Sequence, residues 1–199
     1  METAETPINK LEIFNKELAF IKRDDIREYT KYMLEKVVPD YFFEVAASST
    51  GKYHPQYALG QQGLIRHTQA AVRIAKGLFP IMTISADDQD IIIMALILHD
   101  SFKHGEDYQK YAIASHPVVA SAKIMDAYKN YEVQSQELFE AIQKASTLIL
   151  THMGQWNKDW KTQKVLMPKP QSPLQNFVHM CDYLASRKYL EFNFTEEII

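Results

Sequence analysis

The 199-residue chain predicts an all-α fold: a compact single-domain helical bundle of about seven or more helices. Three features predict it. Apolar residues recur at three- and four-residue steps along nearly the whole length, the period of a helix with one buried face. No segment alternates apolar and polar residues between turns, so strands are not expected. The 6 glycines and 8 prolines cluster between the periodic segments, where such residues end helices.

The first helices run through Leu11, Ile13, Phe14 and Leu18, and through Ile26, Tyr29, Tyr32, Met33 and Val37. Asp24 stands where an N-cap of the second belongs, and Pro39 ends it. A loop rich in small and polar residues follows over 48–55. A third helix covers about residues 62–78, with Leu64, Ala71, Ile74, Ala75 and Leu78 on one face. His67 falls on that same face. The fourth carries the run Ile91–Leu98, apolar on every side, and is expected at the centre of the bundle. Ser115 looks like the cap of the fifth, with His116 and Pro117 in its first turn. The sixth carries Leu138, Ala141, Ile142, Ala145, Leu148 and Ile149, and His152 continues the stripe. The seventh carries Leu174, Phe177, Val178, Cys181, Leu184 and Ala185, with Asp182 at the edge of its buried face. We divide the chain into an N-terminal helix or arm over 1–24, a main domain over 25–190 and a tail over 191–199.

Composition narrows the function classes. Hydrophobic residues make up 46% and charged residues 24%, an ordinary globular balance. A net charge of −3 argues against bulk attraction to nucleic acid or to a membrane surface. The single cysteine, Cys181, cannot form an intrachain disulfide and fits a reducing compartment. No basic segment followed by an apolar one marks the N-terminus as a signal peptide, and no apolar stretch is long enough to span a bilayer. A cytoplasmic location without membrane partners is the expectation. The oligomeric state, a homo-oligomer included, stays open.

His67, His99, His152 and Asp182 therefore stand where the helical pattern demands core. Asp100 adjoins one of them, and His116 opens a helix. Each alone reads as a satisfied buried polar residue. Together they are costly unless they share partners, because an unpaired buried polar group is destabilising. Convergence on a metal ion pairs them all. Imidazole and carboxylate without thiolate suits divalent Mn, Fe, Ni, Co, Mg or Zn in an open site rather than a closed structural zinc site. One or two such ions activate water and clamp phosphoryl oxygens.

The order His67, His99-Asp100, His116, His152 and Asp182 resembles the HD superfamily of metal-dependent phosphohydrolases. Gly63-Leu-Ile-Arg-His67-Thr68 is similar to the family's surroundings of the first ligand. His99-Asp-Ser-Phe-Lys103 is similar to "His-Asp-Ile-Gly-Lys", departing at Ser101 and Phe102. Ser115-His116-Pro117 resembles the helix start that carries the third histidine. Within the superfamily, residues 25–190 most resemble the catalytic domain of YhaM-type 3′–5′ exoribonucleases, through Phe42-Phe43, Ala46-Ala47, His54, Gly63-Leu64 and His67, and through His152, Gly154, Trp156, Pro173, His179, Asp182 and Leu184. The spacing from His54 to His67 is longer here. At this length a separate oligonucleotide-binding domain has no room, so the expected substrate is a nucleotide or a short oligonucleotide.

The resemblance implies roles. His67, His99, Asp100 and Asp182 match the ligands of a first metal. His116 and His152 match the added histidines of the two-metal members, with Asp100 as bridge and as the group orienting a metal-bound hydroxide. Lys103 matches a lysine that contacts substrate phosphate; it reads equally as a lysine capping a helix C-terminus. The segment over 154–170 is a candidate lid. It is locally basic through Lys158, Lys161, Lys164 and Lys169, and its Trp156 and Trp160, four residues apart, either stack on a base or cover the core. Arg66 and Arg187 either reach phosphate or form surface ion pairs, and His54 is a substrate contact or a loop histidine without a role. His104 is an outer neighbour of the site or merely exposed. His179 reads as packing. The leading expectation is a hydrolase of a nucleotide or nucleic-acid 3′ end. A cyclic nucleotide or cyclic oligonucleotide phosphodiesterase, a non-catalytic metal-stabilised binding domain and a dinuclear iron oxygenase are the alternatives.

Overall fold

The computed structural model describes residues 9–48, 51 and 54–190. Its described residues form eight α-helices: α1 (Lys10–Ile13), α2 (Asn15–Phe20), α3 (Asp24–Tyr32), α4 (Gly63–Leu78), α5 (Ala86–Leu98), α6 (His116–Tyr128), α7 (Gln136–Thr151) and α8 (Pro173–Ala185). Short 3₁₀ turns join them, and no strand is present among these residues beyond one isolated Lys158–Val165 bridge. The fold is all-α. The tail over 191–199 lies outside the described residues. No helix among the described residues is long and apolar enough to cross a membrane.

Helix α5 is the axis. Asp90 to Leu98 are all buried, and the helix packs against α2, α3, α4, α7 and α8. A helix apolar all round is stable only when other elements cover every side. Two further pairings, α6 with α7 and α4 with α8, make the broadest contacts. Leu96 is fully buried at the middle of α5. Leu96→Ala is therefore expected to destabilise the fold by about 2–5 kcal/mol, a drop of roughly 4–20 °C in Tm for a chain of this size, read by thermal unfolding.

Three details differ from the pattern in the sequence. The first helix is broken: Phe14, fully buried, separates α1 from α2. Helix α2 sits in the common core through Leu18, flanked by Phe14 and Ile21, and Leu11 and Ile13 of α1 pack against it, so residues 10–21 are part of the bundle. The N-cap of α3 is Arg23, not Asp24. The buried Asp90 carboxylate accepts the backbone N–H groups of Lys22 and Arg23 at 3.0 and 2.8 Å, and Asp24 instead pairs with Arg27. Ser115 is the N-cap of α6, but its side chain makes no capping hydrogen bond.

The bundle brings the ends of α5 and α7, the start of α6, the N-terminal part of α4 and the C-terminal part of α8 together. Residues 33–37 continue α3 as a widened π turn, closed by Val38 N–H to Met33 O at 2.9 Å, before Pro39. The loop after it returns to α4 through Gln62 N–H to Glu44 O and Leu64 N–H to Val45 O, at 2.8 and 2.9 Å.

Candidate metal centre

His99, His116 and His152 share one local device. Each stands at a helix end, where backbone carbonyls or N–H groups lack helical partners. Each imidazole lies with Nδ1 against the carbonyl three residues before it: Leu96 at 2.7 Å, Ile113 at 2.8 Å and Ile149 at 2.7 Å. A carbonyl only accepts, so Nδ1 carries the proton and the neutral ring turns the Nε2 lone pair inward. Such a bond fixes the tautomer and orientation of a metal-ligating histidine. His67 differs: it is mid-helix on α4, with Nε2 3.0 Å from Asp182 Oδ1.

Asp100 stands between these rings, fully enclosed. Its Oδ2 lies 3.7 Å from His67 Nε2 and 3.6 Å from His99 Nε2. Its Oδ1 lies 3.0 Å from His116 Nε2 and 3.7 Å from His152 Nε2. Asp182 Oδ1 completes the first group at 3.0 Å from His67 and 3.4 Å from His99. His116 and His152 Nε2 atoms face each other at 3.2 Å. Three overlapping sets of ligand atoms can hold an ion: His67, His99 and Asp100; His99, His152 and Asp182; Asp100, His116 and His152. Donors about 2.0–2.2 Å from one ion lie about 3.0–3.5 Å apart at right or tetrahedral angles, close to the distances seen. The donor set fits a divalent ion.

The electrostatics agree with a cation. Burial alone would raise the Asp100 pKa. The Lys103 ammonium and the neighbouring His99, His116 and His152 rings outweigh it and hold the carboxyl well below its usual range. Burial is likewise outweighed at Asp182 by His67 and His99. Both carboxylates are ionised. At His99 burial lowers the pKa but Asp100 and Asp182 raise it further, so the position attracts positive charge. At His116 burial wins over Asp100 and lowers it.

Comparison with family models, with curated proteins and with solved structures returned no match to this chain. The chemistry of the centre is read from its own donors.

The remaining residues singled out in the sequence divide. Lys103 Nζ lies 2.6 Å from Asp100 Oδ2 with 13% side-chain exposure, at the edge of the cluster. The His54 ring is edge-on to His67 at 5.4 Å between centroids. Its Nδ1 is buried without a hydrogen-bond partner. Burial, then His67 and Lys103, push its pKa down to about 3, so the ring is neutral. Arg66 is not aimed at the site. Its guanidinium donates to the carbonyls of Tyr57, Leu59 and Gln61 at 2.5, 2.9 and 2.8 Å, which ties down the loop before α4. This anchoring replaces the expected phosphate contact.

Trp156 and Trp160 do not share a helical face. Helix α7 ends at Thr151, a 3₁₀ turn covers Gly154–Trp156, and Trp160 stands 74% exposed further along the loop. Trp156 stacks on Tyr183 at 5.8 Å and 14°. Arg187 lies over the Tyr183 ring at 4.2 Å, and its guanidinium also donates to Ser186 Oγ. Lys158 is exposed, in the antiparallel bridge with Val165. The base of this excursion is fixed: Asn157 Nδ2 donates to Met167 O at 2.9 Å, and both residues are buried. His104 is buried, with Nδ1 on Gln109 O at 2.6 Å and its backbone N–H on the Tyr41 hydroxyl at 3.2 Å. It braces the loop after Lys103. His179 is more than packing, since its Nδ1 donates to the His152 carbonyl at 2.6 Å. Its three-residue spacing from Asp182 on α8, the same face by helical period, was the available signal.

Proposed function

We propose that the chain is a metal-dependent phosphohydrolase of the HD type, hydrolysing a phosphate ester of a nucleotide or of a nucleic-acid 3′ end. One observation carries this reading. The Nε2 lone pairs of His99, His116 and His152 converge with the oxygens of Asp100 and Asp182, Lys103 donates to Asp100 Oδ2 from the edge, and the two oxygens of Asp100 face different imidazole groups. Beyond that edge contact, acceptors packed this closely repel unless a further cation stands among them. His67, His99, Asp100 and Asp182 would hold one divalent ion, and Asp100, His116 and His152 a second. Bound there, such ions lower the pKa of water and neutralise charge on phosphoryl oxygens.

The chain's own residues supply the rest. Asp100 accepts the hydrogen bond that orients the attacking water. Lys103, held beside Asp100, presents an ammonium to a non-bridging phosphate oxygen, where a point charge stabilises developing negative charge. His54 offers a neutral imidazole at the mouth beside His67. The Arg187, Tyr183 and Trp156 ladder borders Asp182 by sequence and leaves Trp156 48% exposed. It favours a nucleotide over a simple phosphate ester, because aromatic faces stack on any base.

The test is phosphate or nucleoside release from a panel of nucleotides, cyclic nucleotides and short oligonucleotides, with Mn²⁺, Mg²⁺, Co²⁺, Ni²⁺ or Fe²⁺. Metal-dependent release from at least one linear nucleotide or oligonucleotide is expected. Release from cyclic nucleotides alone would replace this reading with a cyclic phosphodiesterase. Metal bound without release from any substrate would favour a metal-stabilised binding domain.

A further inference from the structure

Helix α7 ends at Thr151, and the carbonyl of the next residue, His152, is one of those left without a helical partner at a C-terminus. It is satisfied from another helix. His179 of α8 donates its Nδ1–H to that oxygen at 2.6 Å. With Nδ1 protonated, Nε2 is an acceptor; Gln155 Oε1 lies 3.2 Å from it, so the amide pairs with the ring when flipped to turn its NH₂ inward.

The ring is fitted to this place. Gly154 has φ +57°, and a Cβ there would lie 2.3 Å from Cε1 and Nε2 of His179 and 2.7 Å from Nδ1. A side chain at 154 would thus meet both backbone strain and the imidazole. Trp156 and Tyr183 border the ring, each 6.2 Å away between centroids. The same stretch of α8 carries Asp182, one turn on. One helix therefore holds a ligand of the first metal group by its side chain and the backbone of a ligand of the second group through His179.

We infer that His179 is a positioning residue for the Asp100, His116 and His152 group. By capping α7 from α8 it sets where His152 directs Nε2, and Gly154 exists to admit its ring. This rests on the metal-binding reading above. Its chemistry is that of an outer partner of a ligand, acting on the main chain rather than on the imidazole. Loss of such partners costs metal affinity by about 10–100-fold.

The experiment is calorimetric titration of Mn²⁺ into the full, metal-free chain, with bound Mn counted by elemental analysis. Wild type is expected to take two ions. His179→Leu fills the space without a donor and is expected to weaken one site by about 10–100-fold, leaving the other unchanged. His179→Asn, whose Nδ2 can take the place of Nδ1, is expected to bind both ions near wild-type affinity. Gly154→Ala displaces the ring and is expected to behave like His179→Leu. Thermal unfolding run beside each titration identifies a variant that fails to fold, and the Asn variant then carries the comparison. The inference is overturned if His179→Leu keeps both affinities, if it weakens both sites equally, or if His179→Asn is as weak as His179→Leu. A wild type that takes one ion also overturns it, with the metal reading intact. A wild type that takes none overturns both.

Discussion

Asp100→Ala is expected to abolish metal uptake and to lower turnover by roughly 10⁴-fold or more, the scale on which removing one member of a catalytic unit acts. No other side chain in the cluster meets both imidazole groups with separate atoms: Oδ2 faces His67 and His99, and Oδ1 faces His116 and His152. On the proposed reading, truncation would remove a ligand from each group at once and delete the acceptor that orients the attacking water. It also removes the partner of Lys103 at 2.6 Å, so that ammonium loses its fixed position. The fold should persist, because α5 is held by apolar packing along its whole length. Steady-state assays on the best substrate, elemental analysis of bound metal and circular dichroism on the same preparation check this. Turnover within tenfold of wild type would contradict the account.

On the proposed reading, chelation of the divalent ions is expected to be the second large effect. A ligand that binds only the native state stabilises it by about 2.7 kcal/mol at a hundredfold excess over Kd. For a chain of this size that is roughly 5–11 °C in Tm per site. The sign follows from the geometry. Ionised Asp100 and Asp182 and inward-facing Nε2 atoms are crowded within 3.0–3.7 Å, so a cation relieves repulsion that exists only in the folded chain. Wild-type protein melted with saturating Mn²⁺ and with excess chelator should show that difference. Asp100→Ala should show little or none. Equal melting temperatures for the wild type in both conditions would contradict a metal held by these residues.

The contrast between what the sequence made legible and what it did not has a physical pattern. His67, His99, His152 and Asp182 were visible because each breaks a helical apolar stripe at a core position, and that cost is local and countable. Their convergence was inferable because separate buried polar groups need a shared partner. The all-α architecture and the central place of α5 were legible for the same reason: periodicity is a local signal. Roles that depend on a loop's path or on a distant helix were not. Arg66 sits one residue from His67, yet its direction is set by carbonyls at 57, 59 and 61. The N-cap of α3 is served by Asp90, 67 and 68 residues away along the chain. Trp156 and Trp160 have helical spacing but no helix to realise it. His179 was three residues from Asp182, but its partner is a backbone carbonyl, which carries no side-chain signature.

Crystals grown with Mn²⁺ and measured for anomalous scattering would test the metal centre most directly. The account predicts two peaks roughly 3.5–4 Å apart, one beside Asp100 Oδ2 with His67, His99 and Asp182, the other beside Asp100 Oδ1 with His116 and His152. A single peak would contradict the bridging role of Asp100. No peak in contact with Asp100 would contradict the metal centre itself.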